Sequence, residues 1–160
     1  MSDLDFIRIY NTLHVLSVAL LAGGITIDTV VGPLMVRATS VQELRAFTRL
    51  SRIAEDYIML PAFLLIVGFG YATAGRQDRD LGDTWLLVAQ ILTFIAAAGV
   101  IGYLRSASLR VDRLARAVPD GPVPESLTRA MKNPGPPIVG TILTVGFVFI
   151  LYLMVAQPRW

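Results

Sequence analysis

Residues 7–36 constrain the fold more than any other part of the chain. They read IRIYNTLHVLSVALLAGGITIDTVVGPLMV, and only Arg8, His14 and Asp28 among them carry a readily ionised side chain. A hydrocarbon core of roughly 30 Å takes about 20 apolar residues of helix, so this run is long enough to span a bilayer. At about 100° per residue, Tyr10, His14, Ser17, Leu21, Gly24, Asp28 and Gly32 fall in one sector roughly 100° wide. Lipid gives no reason to gather polar and small side chains on one side, whereas neighbouring helices do. The stripe is therefore the expected protein-facing side.

Three more apolar runs follow. The second span is expected over residues 57–74, with Pro61 in its opening turns and Gly68, Gly70 and Ala74 as small packing positions. The third is expected over 85–106, after Asp83-Thr84, with Trp85 at interfacial depth and Ala98, Gly102 and Ser106 repeating every fourth residue. The fourth, over 137–156, has Pro136 and Pro137 near its first turn. Charged residues make up 16% of the chain, against about a quarter in soluble domains, which places it in the membrane class. The expected fold is all-α: a polytopic membrane protein, one domain of four transmembrane helices in an antiparallel bundle. The short connection GRQDRDLGD predicts that spans two and three are neighbours.

The connections carry the charge. Ser40 and Glu43 form a capping-box pattern that starts an amphipathic helix over 41–56. Leu44, Phe47, Ser51, Ala54 and Ile58 line one side of it, with Arg45, Arg49 and Arg52 largely elsewhere, the pattern of a helix at a membrane surface. Arg52 stands four residues before Asp56, spaced for an ion pair. Span three is expected to run out of the bilayer as an extension over 105–118, followed by a turn-rich linker over 119–136 that holds a short helix near Glu125 to Lys132. At the start, Ser2 and Asp5 give a helix-start signal, and the acidic MSDLDF is not a secretory leader.

Connections one and three hold Arg37, Arg45, Arg49, Arg52, Arg105, Arg110, Arg113, Arg116, Arg129 and Lys132, while the other side holds Arg8, Arg76, Arg79 and Arg159. The positive-inside rule puts the basic connections in the cytoplasm and both termini outside, in the periplasm for a bacterial inner membrane.

The chain contains no cysteine, which removes disulfides, thiolate metal sites and cysteine nucleophiles, and a single histidine rules out a two-histidine site within the chain. His14 can ligate haem iron, accept a proton or hydrogen-bond a neighbouring helix. Asp28 lies 14 residues on, roughly 21 Å along a helix, so the two cannot share one site. A carboxylate there is costly unless paired or hydrated: it is an ion site near the inner mouth or the partner of an arginine such as Arg105. Glu55 and Asp56 cluster at the inner end of span two, close to several arginines. Gln90 and Thr93 read as hydrogen-bond partners between helices, and Tyr10 shares the stripe with His14. The lipid bilayer is the first expected partner, with other membrane subunits or a homo-oligomer next and no nucleic acid.

The motif LHVLSVALLAGG, with His14 before Gly23-Gly24, and the closing FVFILYLMVAQP resemble a family of small bacterial four-span membrane proteins catalogued as domain of unknown function 2269. The resemblance covers nearly the whole chain in layout. That family is similar in turn to the membrane part of copper-resistance D proteins and to the HemJ-type protoporphyrinogen oxidase. The latter resemblance implies a haem-associated histidine in the first span, a role that falls on His14. The oxidase pattern also uses an intramembrane lysine, whereas Lys132 here lies outside the spans and span three offers Gln90. The resemblance thus extends to haem or porphyrin binding and speaks against the oxidase activity. Three functions are carried forward: a structural or partner-binding bundle, a b-type haem or porphyrin redox protein using His14, and a small-ion or proton transporter using Asp28 or Glu55. No residue set defines a catalysed reaction.

Overall fold

The computed structural model describes residues 3–77 and 79–158; Ser2 and Arg159 lie outside the described residues. Its helices are α1 (Asp3–Arg37), α2 (Val41–Ile53), α3 (Leu60–Arg76), α4 (Thr84–Ala98), α5 (Arg105–Arg116), α6 (Glu125–Met131) and α7 (Gly135–Ala156). The chain does not leave the helix between α2 and α3 or between α4 and α5. Ala54–Met59 and Gly99–Leu104 are π-helical, so 41–76 and 84–116 are each one continuous rod. Four helical stretches are long and apolar enough to cross a membrane: Asp3–Arg37, Val41–Arg76, Thr84–Arg116 and Glu125–Ala156.

This corrects one expectation. The helix expected over 41–56 is not a separate element; it is the N-terminal end of the rod Val41–Arg76 that forms span two. Proline explains the wide turn beneath it. In α-register Pro61 would have no N–H for the Tyr57 carbonyl, and its ring would press on that oxygen. The π segment just upstream, where the Leu60 N–H donates to the Glu55 carbonyl five residues back, relieves that crowding without ending the helix.

The helices pair two by two, α1 with α3 and α4 with α7. Spans two and three were expected as neighbours, yet the close pairing of α3 is with α1. What joins α3 to α4 is a side-chain bond, from the Tyr71 hydroxyl to Gln90 Oε1 at 2.8 Å. Close approach sets the pairs. Gly24 on α1 lies against Met59, so that a Cβ at this position would overlap the methionine side chain. A Cβ at Gly99 would stand 3.3 Å from both δ-carbons of Leu143 on α7.

Beyond the spans, α2, α5 and α6 form a cap. Its centre is Leu44, Ala115 and Leu127, surrounded by Met35, Ala38, Val111, Val118, Val123 and Met131. Ser40 caps α2, its hydroxyl accepting from the Glu43 N–H at 3.2 Å, while Glu43 Oε2 accepts from the Thr39 N–H at 3.0 Å. The 119–136 segment is more than a linker. The Val41 N–H donates to the Gly121 carbonyl at 2.9 Å, and Ser40 bridges Pro122, which seats the segment against the start of α2. Gly121 has φ +150°, a backbone conformation that side-chain-bearing residues rarely adopt.

Candidate functional site

Two polar places lie along the α1 stripe, an outer one far from the cap and an inner one beside the cap. The outer one is His14. Its Nδ1 lies 3.0 Å from the Ile66 carbonyl of α3. A carbonyl only accepts, so Nδ1 is the donor of this bond and Nε2 is the ring nitrogen that it leaves free. The approach is open because the residue one turn after Ile66 is Gly70, where a Cβ would come within 3.1 Å of His14 Cε1. Tyr10 lies one turn outward and stacks on Phe69, centroids 6.2 Å apart, with the Phe6 ring tilted against it at 6.1 Å. Arg76 covers Phe6 at 4.9 Å and bonds Asp3 at 2.7 Å, which closes the outer end of the α1–α3 pair. Gln90 is placed apart from the histidine in bonding terms: its Oε1 takes the Tyr71 proton and its Nε2 donates to the Leu81 carbonyl at 3.3 Å.

The inner place is a layer of charge where the rods leave the apolar region. Ser51 donates to Asp28 Oδ1 at 2.6 Å and so ties α1 to α2. Glu55 lies one turn beyond Ser51, in the combined field of Asp28, Arg105, Asp56 and Arg52. Asp56 accepts from Arg105 at 2.6 Å and faces Arg52 at 3.9 Å. The Asp56–Arg105 pair joins the two rods at their π-helical levels. Arg52 then reaches Asp112 at 3.3 Å, and Asp112, only 3% exposed, also accepts from Thr48 at 3.2 Å and Arg116 at 3.0 Å. Arg45 completes the cap, donating to the carbonyls of Ala115 and Val118 and to Asp120.

Asp28, Glu55 and Asp56, singled out from the sequence, are brought together, while His14 is kept well away from them. Asp28 does not pair with Arg105; Ser51 meets it instead, and Arg105 goes to Asp56. Among the described residues, no group of three or more His, Cys, Asp or Glu side chains is arranged to hold a metal ion. Chemically the layer is a set of carboxylates largely balanced by guanidinium groups, an arrangement that fixes helices while avoiding an uncompensated buried charge. Sequence reasoning missed Ser51 as a donor, and Asp112 and Arg45 as the centre of the cap. A signal for Asp112 existed: it is the only carboxylate in 105–118 and shares a helix side with Ser108, Val111 and Ala115.

Four apolar helical stretches with polar contacts confined to helix faces and rod ends define a polytopic, four-span integral membrane protein. Over residues 8–158 the chain matches the family described as "Predicted integral membrane protein (DUF2269)", and it belongs to that family. No curated protein and no solved structure matches it.

Proposed function

We propose that this protein is a partner-binding membrane bundle that receives another transmembrane helix on the outer face of α7. The supporting observation is an open notch. Gly140, one turn before Thr144, has nothing within 4 Å of where a Cβ would sit, although small residues within spans serve chiefly to admit a neighbouring helix. Thr144, Val145, Val148, Phe149 and Tyr152 line a shallow depression on the same helix. The absence of cysteine makes the test clean: in a Thr144→Cys variant, any disulfide within the membrane must join two molecules. A cross-linked homodimer identifies a second copy as the partner, and an adduct of larger mass identifies another subunit. Gly140→Leu should abolish either product. If membranes yield no adduct at Thr144→Cys, the reading fails.

A second reading concerns His14 and is favoured by its tautomer. With Nδ1–H held by a carbonyl, Nε2 is the nitrogen free to ligate, the arrangement that orients metal-bound imidazoles. The residue that would hold haem is His14, through Nε2; Met59 is packed on Gly24, ten residues further along α1. Haem would supply one-electron chemistry. Protein from a haem-sufficient host should then show a Soret band that shifts on reduction and is lost in His14→Ala; a colourless folded wild type rejects this. For transport, the support is limited to the gathering of Asp28 and Glu55, and ion flux into liposomes that vanishes in Asp28→Asn would be needed.

We also infer a bacterial inner-membrane location with the cap in the cytoplasm and both termini in the periplasm, since the basic residues concentrate on the cap. A membrane-impermeant maleimide should label Asp83→Cys and not Asp120→Cys in spheroplasts. The reverse pattern would invert the topology.

A further inference from the structure

We propose that the face of α5 formed by Ser106, Arg110, Arg113 and Leu114 binds the phosphate headgroup of an anionic phospholipid in the leaflet next to the cap. These four side chains line a shallow depression beside the point where the third rod leaves the apolar region. At about 100° per residue they share one side of the helix; the Ser106 hydroxyl donates to the carbonyls of Gly102 and Tyr103 at 2.8 Å, so the two guanidinium groups are the donors this face offers.

How the cap uses its other arginines sets this face apart. Arg45 is tied to Ala115, Val118 and Asp120, Arg52 to Asp56 and Asp112, Arg105 to Asp56, and Arg116 to Asp112. Those four act inside the cap. Arg110 is exposed, and Arg113 uses only its Nε, toward the Leu109 carbonyl at 3.2 Å. Two positive groups are thus left over on one face. Paired guanidinium donors match phosphate oxygens, and basic clusters immediately outside a span attract anionic lipid.

Helix direction adds a second argument. Side chains in a helix tilt toward its N-terminus. α5 leaves the membrane N-terminus first, just after the apolar run ends at Leu104, so Arg110 and Arg113 lean back toward the bilayer. The headgroup layer is about 5–8 Å deep on each side, which places Ser106 within it and leaves both arginines able to reach into it by snorkelling. α2 runs the opposite way, approaching the membrane with its C-terminus, so the exposed Arg49 leans away. Arg49 is therefore the natural control. This inference requires only that the chain sits in a bilayer and does not depend on the partner-binding reading.

The test uses the full chain in mild detergent, offered equal amounts of phosphatidylglycerol and phosphatidylcholine, with bound lipids counted by native mass spectrometry. Wild type should prefer phosphatidylglycerol, by about fivefold for each arginine that contacts it. The preference should fall to near unity in Arg110→Gln/Arg113→Gln and persist in Arg49→Gln. Arg110→Lys/Arg113→Lys, which keeps the charge and loses the paired donors, should fall between. Unchanged helical circular dichroism shows that the variants fold, as expected for exposed side chains. Equal retention of the two lipids by wild type, or a wild-type preference in the double Gln variant, would overturn the proposal. So would an equal loss in Arg49→Gln. Displacement of the lipid by millimolar inorganic phosphate would also overturn it, by making the face a site for free phosphate.

Discussion

The cap and the spans are parts of the same rods, yet different physics holds them. In the cap, Val41, Leu44, Thr48 and Ala115 are fully buried, and a carboxylate sits at the centre of a hydrogen-bonded network. In the most apolar stretches of the third and fourth spanning helices, only 6% of residues are buried inside the protein. Water drives the cap side chains together, because leaving them exposed is unfavourable. Lipid solvates an isoleucine about as well as a neighbouring helix does, so the spans pair through glycine notches and a few polar bonds. The larger fully buried side chains thus gather in the cap, with Leu153 of α7 the exception within the spans.

The same kind of truncation in each region should expose the difference. Leu44→Ala, which empties the centre of the cap, should cost about 2–5 kcal/mol, read as a lowered unfolding midpoint in detergent. Asp112→Ala should come next at about 2–3 kcal/mol, because it strands Thr48 and leaves Arg52 and Arg116 without their shared acceptor. Asp112→Asn, keeping shape and part of the bonding, should cost less. Gly24→Val probes the close approach of α1 to the second rod and should cost about 1–3 kcal/mol through overlap with Met59. Ile95→Ala on the exposed face of α4 should change the midpoint by less than the equivalent of about 0.5 kcal/mol. If Ile95→Ala instead proves as costly as Leu44→Ala, the spans are held by burial as the cap is, and the contrast between the two regions fails.

The sequence carried the spans and the polar side of α1 clearly, and for a physical reason. Span length is set by bilayer thickness, and a stripe is set by helical period, so both are written locally. Ser17 and Gly24 are buried in the structure, and His14 and Asp28 on the same stripe each meet a partner on the second rod. The cap start at Ser40 was equally local, with Glu43 reaching Thr39 rather than Ser40. What could not be read was which span pairs with which, since every span looks alike to its neighbours in hydropathy. Asp112 was hidden for a related reason: its partners Thr48 and Arg52 are more than a full span away in sequence, and only the fold reveals that they meet. That 41–56 continues into span two could not be read either, because amphipathicity is the same for a separate surface helix and for one packed on other helices.

The two π-helical segments have a consequence for how such a chain tolerates change. Each wide turn holds one residue more than a regular turn would, so the helix beyond it keeps nearly the phase it would have without that residue. Deleting one residue within Ala54–Met59 would tighten the turn to α geometry and leave Ser51 near Asp28 and Arg52 near Asp112, while returning the Pro61 ring to the carbonyl four residues back. Deleting one residue within 62–66, in regular helix, would instead rotate α2 by about 100° relative to the rest of α3. Insertion into the bilayer depends on composition and is indifferent to such a slip, whereas assembly of the cap depends on phase and is not. Only the second deletion should therefore give a protein that enters the membrane normally and never closes its cap.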